Sequence, residues 1–218
     1  MTTQDRRARE FQRREGEILA AALRMFNSDS WQNVTIEQIA NAVEIGKGTI
    51  YKHFTSKDEI YARLALDFHG QVLAELEQLD RTRPVLERLR EMLRVYWTLH
   101  YGHADVQRVV QYCERDDFRR AISDQTRARF ESLDAAFGER LYALLQEGVA
   151  EGVLPRKSLR TLLFGAQSTL FGAIRHAHRC RLIGATDAGE STTSNDELRE
   201  EVIAFIVAGL TNPVGLAA

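Results

Sequence analysis

TIEQIANAVEIGKGTIYKHFTSKDE, residues 35–59, decides the fold of this chain. Ile36, Ile39, Ala40 and Val43 fall at i, i+3, i+4 and i+7, which lays one apolar stripe along a helix of two turns. Thr35 is its N-cap. Thr35-x-x-Gln38 is a capping box, in which hydroxyl and amide each satisfy a backbone amide hydrogen that a helix start leaves unpaired. Ala40 is small where two helices crossing at a tight turn approach closely. Gly46 and Gly48 bracket Lys47 and break the stripe, so a second helix begins there with Gly46 as its cap. On that helix Ile50 and Phe54 stack on one side and anchor it inward, while Thr49, Lys52 and His53 point the opposite way. No carboxylate stands between Glu44 and Asp58, whereas Lys47, Lys52 and Lys57 supply three positive charges. A third helix starts at Ser56, where Ser56-x-x-Glu59 repeats the capping box and Asp58 and Glu59 complement the positive helix end. Two short helices across a sharp turn, cationic outside, are the build of a helix-turn-helix, which lays a helix in the DNA major groove.

Lys47 to Phe54, KGTIYKHF, followed by Ser56-Lys57-Asp58-Glu59, resembles the KGTxYxxF-x-SKxE signature of the N-terminal DNA-binding domain of TetR-type bacterial transcriptional regulators. The resemblance runs from about Arg14 to Ala62 and takes in a preceding helix with Ile18, Leu19, Ala22, Leu23, Met25 and Phe26 along its apolar side. Two positions depart from the pattern: Glu44 stands where the family usually has the turn glycine, and Gly46 where it often has a serine cap. A left-handed Glu44 carries a strain of roughly 1 kcal/mol. Neither departure removes a DNA-facing group. The resemblance implies phosphate contacts for Thr35, Tyr51 and Lys57. Thr49, Lys52 and His53, with Lys47 and Gly48 at the start of the helix, are the candidates for base edges, since lysine favours guanine acceptors and threonine a base or the thymine methyl. For Tyr51 a packed core aromatic is the alternative, and for His53, Lys52 and Lys57 an ordinary solvated surface.

The whole chain has 218 residues, 44% hydrophobic and 28% charged, enough to bury a substantial core, with a net charge of −2 and a pI near 6.3. Residues 1–60 hold nine Lys/Arg and nine Asp/Glu, so affinity for a polyanion rests on segregation of charge rather than on its total. Arg6, Arg7, Arg9, Arg13 and Arg14 cluster before the first helix, as an arm entering the minor groove or as a solvated tail. Only Pro84, Pro155 and Pro213 interrupt a chain whose apolar spacing is helical nearly everywhere, so the fold is all-α. Residues 1–62 read as a three-helix helix-turn-helix domain, with 1–13 as a flexible basic arm, and residues 63–218 as a larger helical domain, for which the resemblance implies ligand binding and dimerisation. Pro84 suits the first turn of a helix to about Tyr101, and another runs from about Phe130 to Ala150. Residues 184–197, GATDAGESTTSNDE, read as an exposed loop. There is no N-terminal apolar run for a signal peptide and no apolar stretch for a membrane span, which places the protein in the cytoplasm. Cys113 and Cys180 read as buried free thiols.

SLRTLLFGAQSTLFGAIRHAHR, residues 158–179, is apolar on two faces. One runs through Leu159, Leu163, Ala166, Leu170 and Ile174. The other, through Leu162, Gly165, Thr169 and Gly172, is small enough for close helix approach. Residues 202–210, VIAFIVAGL, are apolar without a break, with Val202, Phe205, Ile206 and Gly209 among them. Two such helices from each subunit make a symmetric four-helix bundle, which is also how the TetR family dimerises. The alternative is that both helices lie deep in one subunit. A two-fold dimer reads a palindromic operator, its half-sites about a helical turn or a multiple apart.

By the resemblance, a ligand binds inside each subunit and releases the operator. Met92, Tyr96, Trp97, Tyr101, Tyr112, Phe130, Phe137, Phe164 and Phe171 are the candidate pocket residues, with His100, Gln167 and His176 as polar groups among them; a plain aromatic core is the alternative. Such a lining suits an apolar or aromatic small molecule. The expected partners are thus double-stranded operator DNA, a small-molecule effector and a second copy of the chain, with no membrane, no cofactor and no metal. An enzyme is disfavoured, because the chain lacks a phosphate loop on a strand, a His-Glu-x-x-His and a nucleophile elbow. A ligand-responsive repressor is the leading reading; an activator of the same fold, and a helical interaction protein that no longer binds DNA, remain beside it.

Overall fold

The computed structural model describes residues 3–27, 31–156, 158–183 and 194–212, and among them there are only helices and turns. Helix α1 spans Thr3–Phe26, and a 3-10 turn at Trp31–Asn33 leads into α2, Ile36–Ala42, and α3, Lys47–Ile50. There follow α4, Lys57–Glu77; α5, Val85–Gly102; α6, Ala104–Cys113; α7, Asp116–Ala121; α8, Asp124–Ala150; α9, Leu159–Ile183; and α10, Asn195–Thr211. The chain divides into two compact units, residues 1–70 with 104–133, and residues 71–103 with 134–218. The boundary expected at residue 62 lies inside α4.

The first unit is built on one apolar cluster, Ile18, Ala22, Val34, Ile36, Ile39, Ala40, Ile50, Phe54 and Ile60. Ile18, Ile39, Ile50 and Ile60 are fully buried, each contributing about 1.5–3 kcal/mol relative to exposure. Ala40 is buried between α2 and α3, and its carbonyl accepts from the Ile45 amide at 3.0 Å. Two expectations change here. Residues 3–13 are not a flexible arm but the first turns of α1. The acidic residues among the arginines explain it: Arg13 bonds Glu10 and Glu17, and Arg14 bonds Glu17 at 2.8 Å, all at helical spacing. The second motif helix is a single turn, closed by tighter bonds from the Lys52 amide to Thr49 and from the His53 amide to Ile50.

In the second unit α5, α9 and α10 pack on one another, and Val85, Leu89, Trp97, Ile174, Ile203 and Leu210 on these helices are buried, as is Leu145 of α8. Pro84 stands just before the first turn of α5, as its N-cap residue. Helix α8 begins six residues before the expected Phe130 and ends at Ala150. Gly152 then takes φ 75°, and the Val153 and Leu154 amides both return to the Gly148 carbonyl at 2.9 Å. Of the loop expected at 184–197, residues 184–193 lie outside the described residues, while 195–197 are the start of α10. Ser194 and Glu197 form a reciprocal capping box there, with amide-to-side-chain bonds of 3.2 and 2.8 Å, a signal that the polar composition masked. Cys113 is buried and free, and burial pushes its thiol well up; the side chain of Cys180 lies outside the described residues.

Candidate nucleic-acid interface

The turn before α3 is set by Glu44, at φ 54°, the left-handed conformation in which a non-glycine residue is strained. Thr35 caps α2 as its sequence requires: the Gln38 amide donates to Thr35 Oγ1 at 3.2 Å and the Thr35 amide to Gln38 Oε1 at 2.8 Å. Gly46 caps α3 in extended conformation without a side-chain bond. Held by Ile50 and Phe54 beneath it, α3 turns Lys47 and Gly48 to solvent and keeps Thr49 half-buried, and Lys52 is exposed in the turn that follows. Tyr51 is 48% exposed, which removes the core-aromatic alternative. Lys57 is half-buried at the start of α4, its Nζ 5.9 Å from the centre of the Tyr61 ring.

His53 does not share the outward arc. Its side chain is only 5% exposed, stacks on Phe11 at 4.0 Å between ring centres, and places Nδ1 4.0 Å from Glu15 Oε2. The reason is the tightened turn after Ile50, which departs from the 100° per residue that put His53 beside Lys52. His53 is thus packed against Phe11 rather than set beside Lys52 on the outward arc. It joins Arg6, Arg7, Glu10, Phe11 and Arg14 around an open depression, so the α1 arginines border the end of α3.

A second layer, unread in the sequence, holds α4 in place. The expected capping box at Ser56 is only half made: the Glu59 amide donates to Ser56 Oγ at 3.1 Å, but the Glu59 carboxylate is engaged elsewhere. It accepts from the Ser123 amide at 2.8 Å and from Thr126 Oγ1 at 2.6 Å, at the start of α8. Burial raises the carboxyl's pKa, but the bonds from Thr126 and Ser123 outweigh it and hold Glu59 below the usual carboxylate range. Beside it Tyr112 Oη donates to Asp58 Oδ1 at 3.3 Å; burial, with Asp58 alongside, pushes that phenol up to about 12. Arg63, one turn on, reaches back to Glu15 of α1. Ser56, Asp58 and Glu59 were legible as a helix start, but the partners of the two carboxylates stand 54 to 67 residues away and carry no local signal.

In the second unit a narrow cavity of about 40 Å³ lies between α5, α8 and α9, lined by Leu89, Met92, Leu93, Tyr96, Leu141, Leu145, Leu163, Ala166, Gln167, Leu170 and Phe171, with Leu210 of α10. Of the expected pocket, Met92, Tyr96 and Phe171 line it, and Phe137 stands 5.9 Å from the Tyr96 ring. The others are elsewhere. Tyr112 and Phe130 belong to the first unit, where Tyr112 packs among Trp31, Tyr61 and Phe118 and Arg119 lies 3.9 Å over the Phe130 ring. Trp97 is fully buried and donates to Asn195 Oδ1 at 3.2 Å; Tyr101 stacks on His178; Phe164 is 73% exposed. Among the polar candidates Gln167 lines the cavity, His100 is buried 5.3 Å from the Phe171 ring, and His176 is exposed. Aromatic residues alike in type were sorted by which face of which helix they occupy. The aliphatic lining was missed because leucines carry no mark that separates pocket from core.

The α9 and α10 surfaces sort the same way. Gly165, Gly172, Gly209 and Phe205 are exposed, Phe205 by 70%, and Thr169 and Val202 are partly so. Leu162 and Ile206 are buried within the subunit, Ile206 because it shares the inward face of α10 with Ile203, Val207 and Leu210. Phe205 and Phe164 therefore leave large apolar area uncovered beside a stripe of small residues. Among the described residues no helix is long and apolar enough to cross a membrane, and no cluster of His, Cys, Asp or Glu is placed to hold a metal ion.

Residues 18–64 match the family model for bacterial regulatory proteins of the tetR family. Over 150 residues the chain is 29% identical to the HTH-type transcriptional repressor KstR2 of Mycobacterium tuberculosis, covering 68% of this chain and 72% of that protein. In fold it is similar to a bacterial regulatory protein of the tetR family from Rhodococcus RHA1, with a TM-score of 0.71 at 18% identity over 90% of this chain and 96% of the other. It is also similar to the TetR-family transcriptional regulator PfmR from Thermus thermophilus, with a TM-score of 0.67 at 20% identity over 92% of this chain and 99% of the other. These relatives are transcriptional regulators, not enzymes.

Proposed function

We propose, for a chain that belongs to the TetR family of bacterial transcriptional regulators, a homodimeric repressor that binds a palindromic operator and is released by an apolar or aromatic small molecule. The observation that carries the DNA reading is the exposure of Lys47 and Gly48 on α3 and of Tyr51 and Lys52 in the turn that follows it, with no carboxylate from residue 45 to 57. Lys47 and Lys52 address bases, with the half-buried Thr49 beside them, while Thr35, Tyr51 and Lys57 hold phosphates. Because residues 1–60 are neutral in sum, one head binds weakly, and two heads on one face of the duplex supply the affinity. The uncovered Phe164 and Phe205 beside Gly165, Gly172 and Gly209 support pairing through α9 and α10. Repression as the sign of regulation follows KstR2, which is named a repressor.

Selection of bound DNA from a random pool tests the reading, with recovery of a two-fold palindrome as the expected result and failure to retain any duplex as the contrary one. On the selected site Lys57→Ala should weaken binding to all sequences and lower the slope of log K against log salt by about one, whereas Lys47→Ala should relax preference at particular bases. An unchanged slope in the first variant removes the phosphate role of Lys57.

A further inference from the structure

The cavity between α5, α8 and α9 adjoins a second, more open depression, and Met92 lines both. Arg81, Arg88 and Arg140 border the second depression, together with Asp80 and Glu147. The juxtaposition is built from neighbours in sequence: Arg88 precedes Leu89 on α5, and Arg140 precedes Leu141 on α8, so each helix offers a leucine to the cavity and a guanidinium to its border. Each guanidinium is only partly used. Arg88 Nη2 donates to Glu147 and Arg140 Nη2 to Glu77, the latter at 2.6 Å. Arg88 Nε and Arg140 Nη1 are buried and have no acceptor among the described residues. A guanidinium stays charged in any environment, so a buried N–H of this kind is costly until an oxyanion accepts from it. Arg140 also acts on the cavity lining itself, since its charge offsets part of the rise that burial gives the Tyr96 phenol.

The geometry points to an anionic amphiphile as the ligand of this unit, its oxyanion taken by Arg88 Nε–H and Arg140 Nη1–H and its apolar body lying past Met92 between Leu89 and Leu141. This rests on the reading of the cavity as the effector site. Met92 lines both the cavity and the depression, and an unbranched thioether side chain shifts at small cost to join them. Carboxylate and phosphate share the chemistry the two arginines select, because either presents two oxygens to paired N–H groups.

Isothermal titration of the full chain with dodecanoate, dodecyl phosphate and dodecanol, all below micelle-forming concentration, tests it. Both anions should bind at least tenfold more tightly than the alcohol, and the stronger of the two identifies the headgroup. Arg88→Met and Arg140→Met, which keep the stem and remove the charge, should bring the anions down to the affinity of the alcohol and leave the alcohol unchanged. Equal binding of alcohol and anions to the native chain overturns the anion site and leaves the cavity reading standing, as does an anion preference that survives both substitutions. Binding of none of the three overturns both. The comparison on the native chain needs no variant, so it decides even if the methionine substitutions unfold the protein.

Discussion

Replacing Glu59 by alanine should loosen the helix-turn-helix from its support without touching a DNA-facing group. The Glu59 carboxylate accepts from the Ser123 amide and from Thr126 Oγ1, the latter on a buried residue. A hydrogen bond to a charged group contributes about 1.5–3 kcal/mol when well buried, and Glu59 is only partly so, which brings the pair of bonds to roughly 2 kcal/mol. Loss of a carboxylate from the first turn of α4 adds about 0.5 kcal/mol. The sum, near 2.5 kcal/mol, shifts the folding equilibrium toward the unfolded chain by about two orders of magnitude. A double-mutant cycle with Thr126→Val separates the two parts, because the helix-start term is absent from the coupling, expected at about 1 kcal/mol. Urea unfolding gives the energies, and hydrogen exchange at the Ser123 amide, which loses its acceptor, gives the locality. Operator affinity should fall with them, since α4 frames α3. Zero coupling with Thr126, together with unchanged exchange at Ser123, would refute the argument.

Gly148→Ala should destabilise by about 1–2 kcal/mol in a thermal melt although alanine is the better helix former, because the added Cβ would stand 2.7 Å from Leu154 Cδ1 and 3.1 Å from Val85 Cγ1. Phe205→Glu should leave the subunit folded and convert a dimer to monomer in light scattering, since the ring is 70% exposed; a dimer that persists would place the interface elsewhere. Glu200 is held down to about 2 by its hydrogen bonds from Arg94, at 2.7–3.1 Å, and from Arg199. Its folded pKa lies below the ordinary 4.5, so the link between α5 and α10 is fully present above that value and is lost as pH falls from about 4.5 toward 2. Glu200→Gln should therefore flatten the acid limb of the melting temperature in that window, and a curve parallel to the native one would deny the linkage.

What could be read from the chain was whatever local spacing controls. The Thr35–Gln38 box and the inward Ile50 and Phe54 depend on residues a few positions apart and stand as the spacing predicts, while the left-handed Glu44 stands where the resemblance puts a turn glycine. His53 fails the same logic by one turn of backbone, where tighter bonds after Ile50 rotate it under Phe11. The α1 arginines pair at helical spacing with Glu10 and Glu17, which makes a helix of the stretch that its positive charges alone mark as an arm. Glu59 shows the limit from the other side. Its spacing fits a capping box, yet two donors distant in sequence compete for the same carboxylate and win. Pocket and interface residues were least legible, because Phe130, Phe164 and Phe171 are identical in chemistry and differ only in the face on which the fold places them.

The small size of the cavity bears directly on how an effector could switch this protein. A ligand that binds two states equally shifts nothing, and moving a population from 1:99 to 99:1 requires about 5.5 kcal/mol of preference for one of them. A pocket already open at full size would tend toward equal binding. At about 40 Å³ the closed arrangement holds little more than a few waters, so any ligand of useful size fits only where α5, α8 and α9 have parted. The preference then comes from apolar burial that the closed form denies. At about 0.8 kcal/mol per methylene, roughly seven buried methylenes supply the 5.5 kcal/mol, before the cost of parting the helices is subtracted. A purely apolar effector must therefore be long or multi-ringed. A ligand that also satisfies the buried N–H groups of Arg88 and Arg140 can be shorter, because those donors have no acceptor among the described residues.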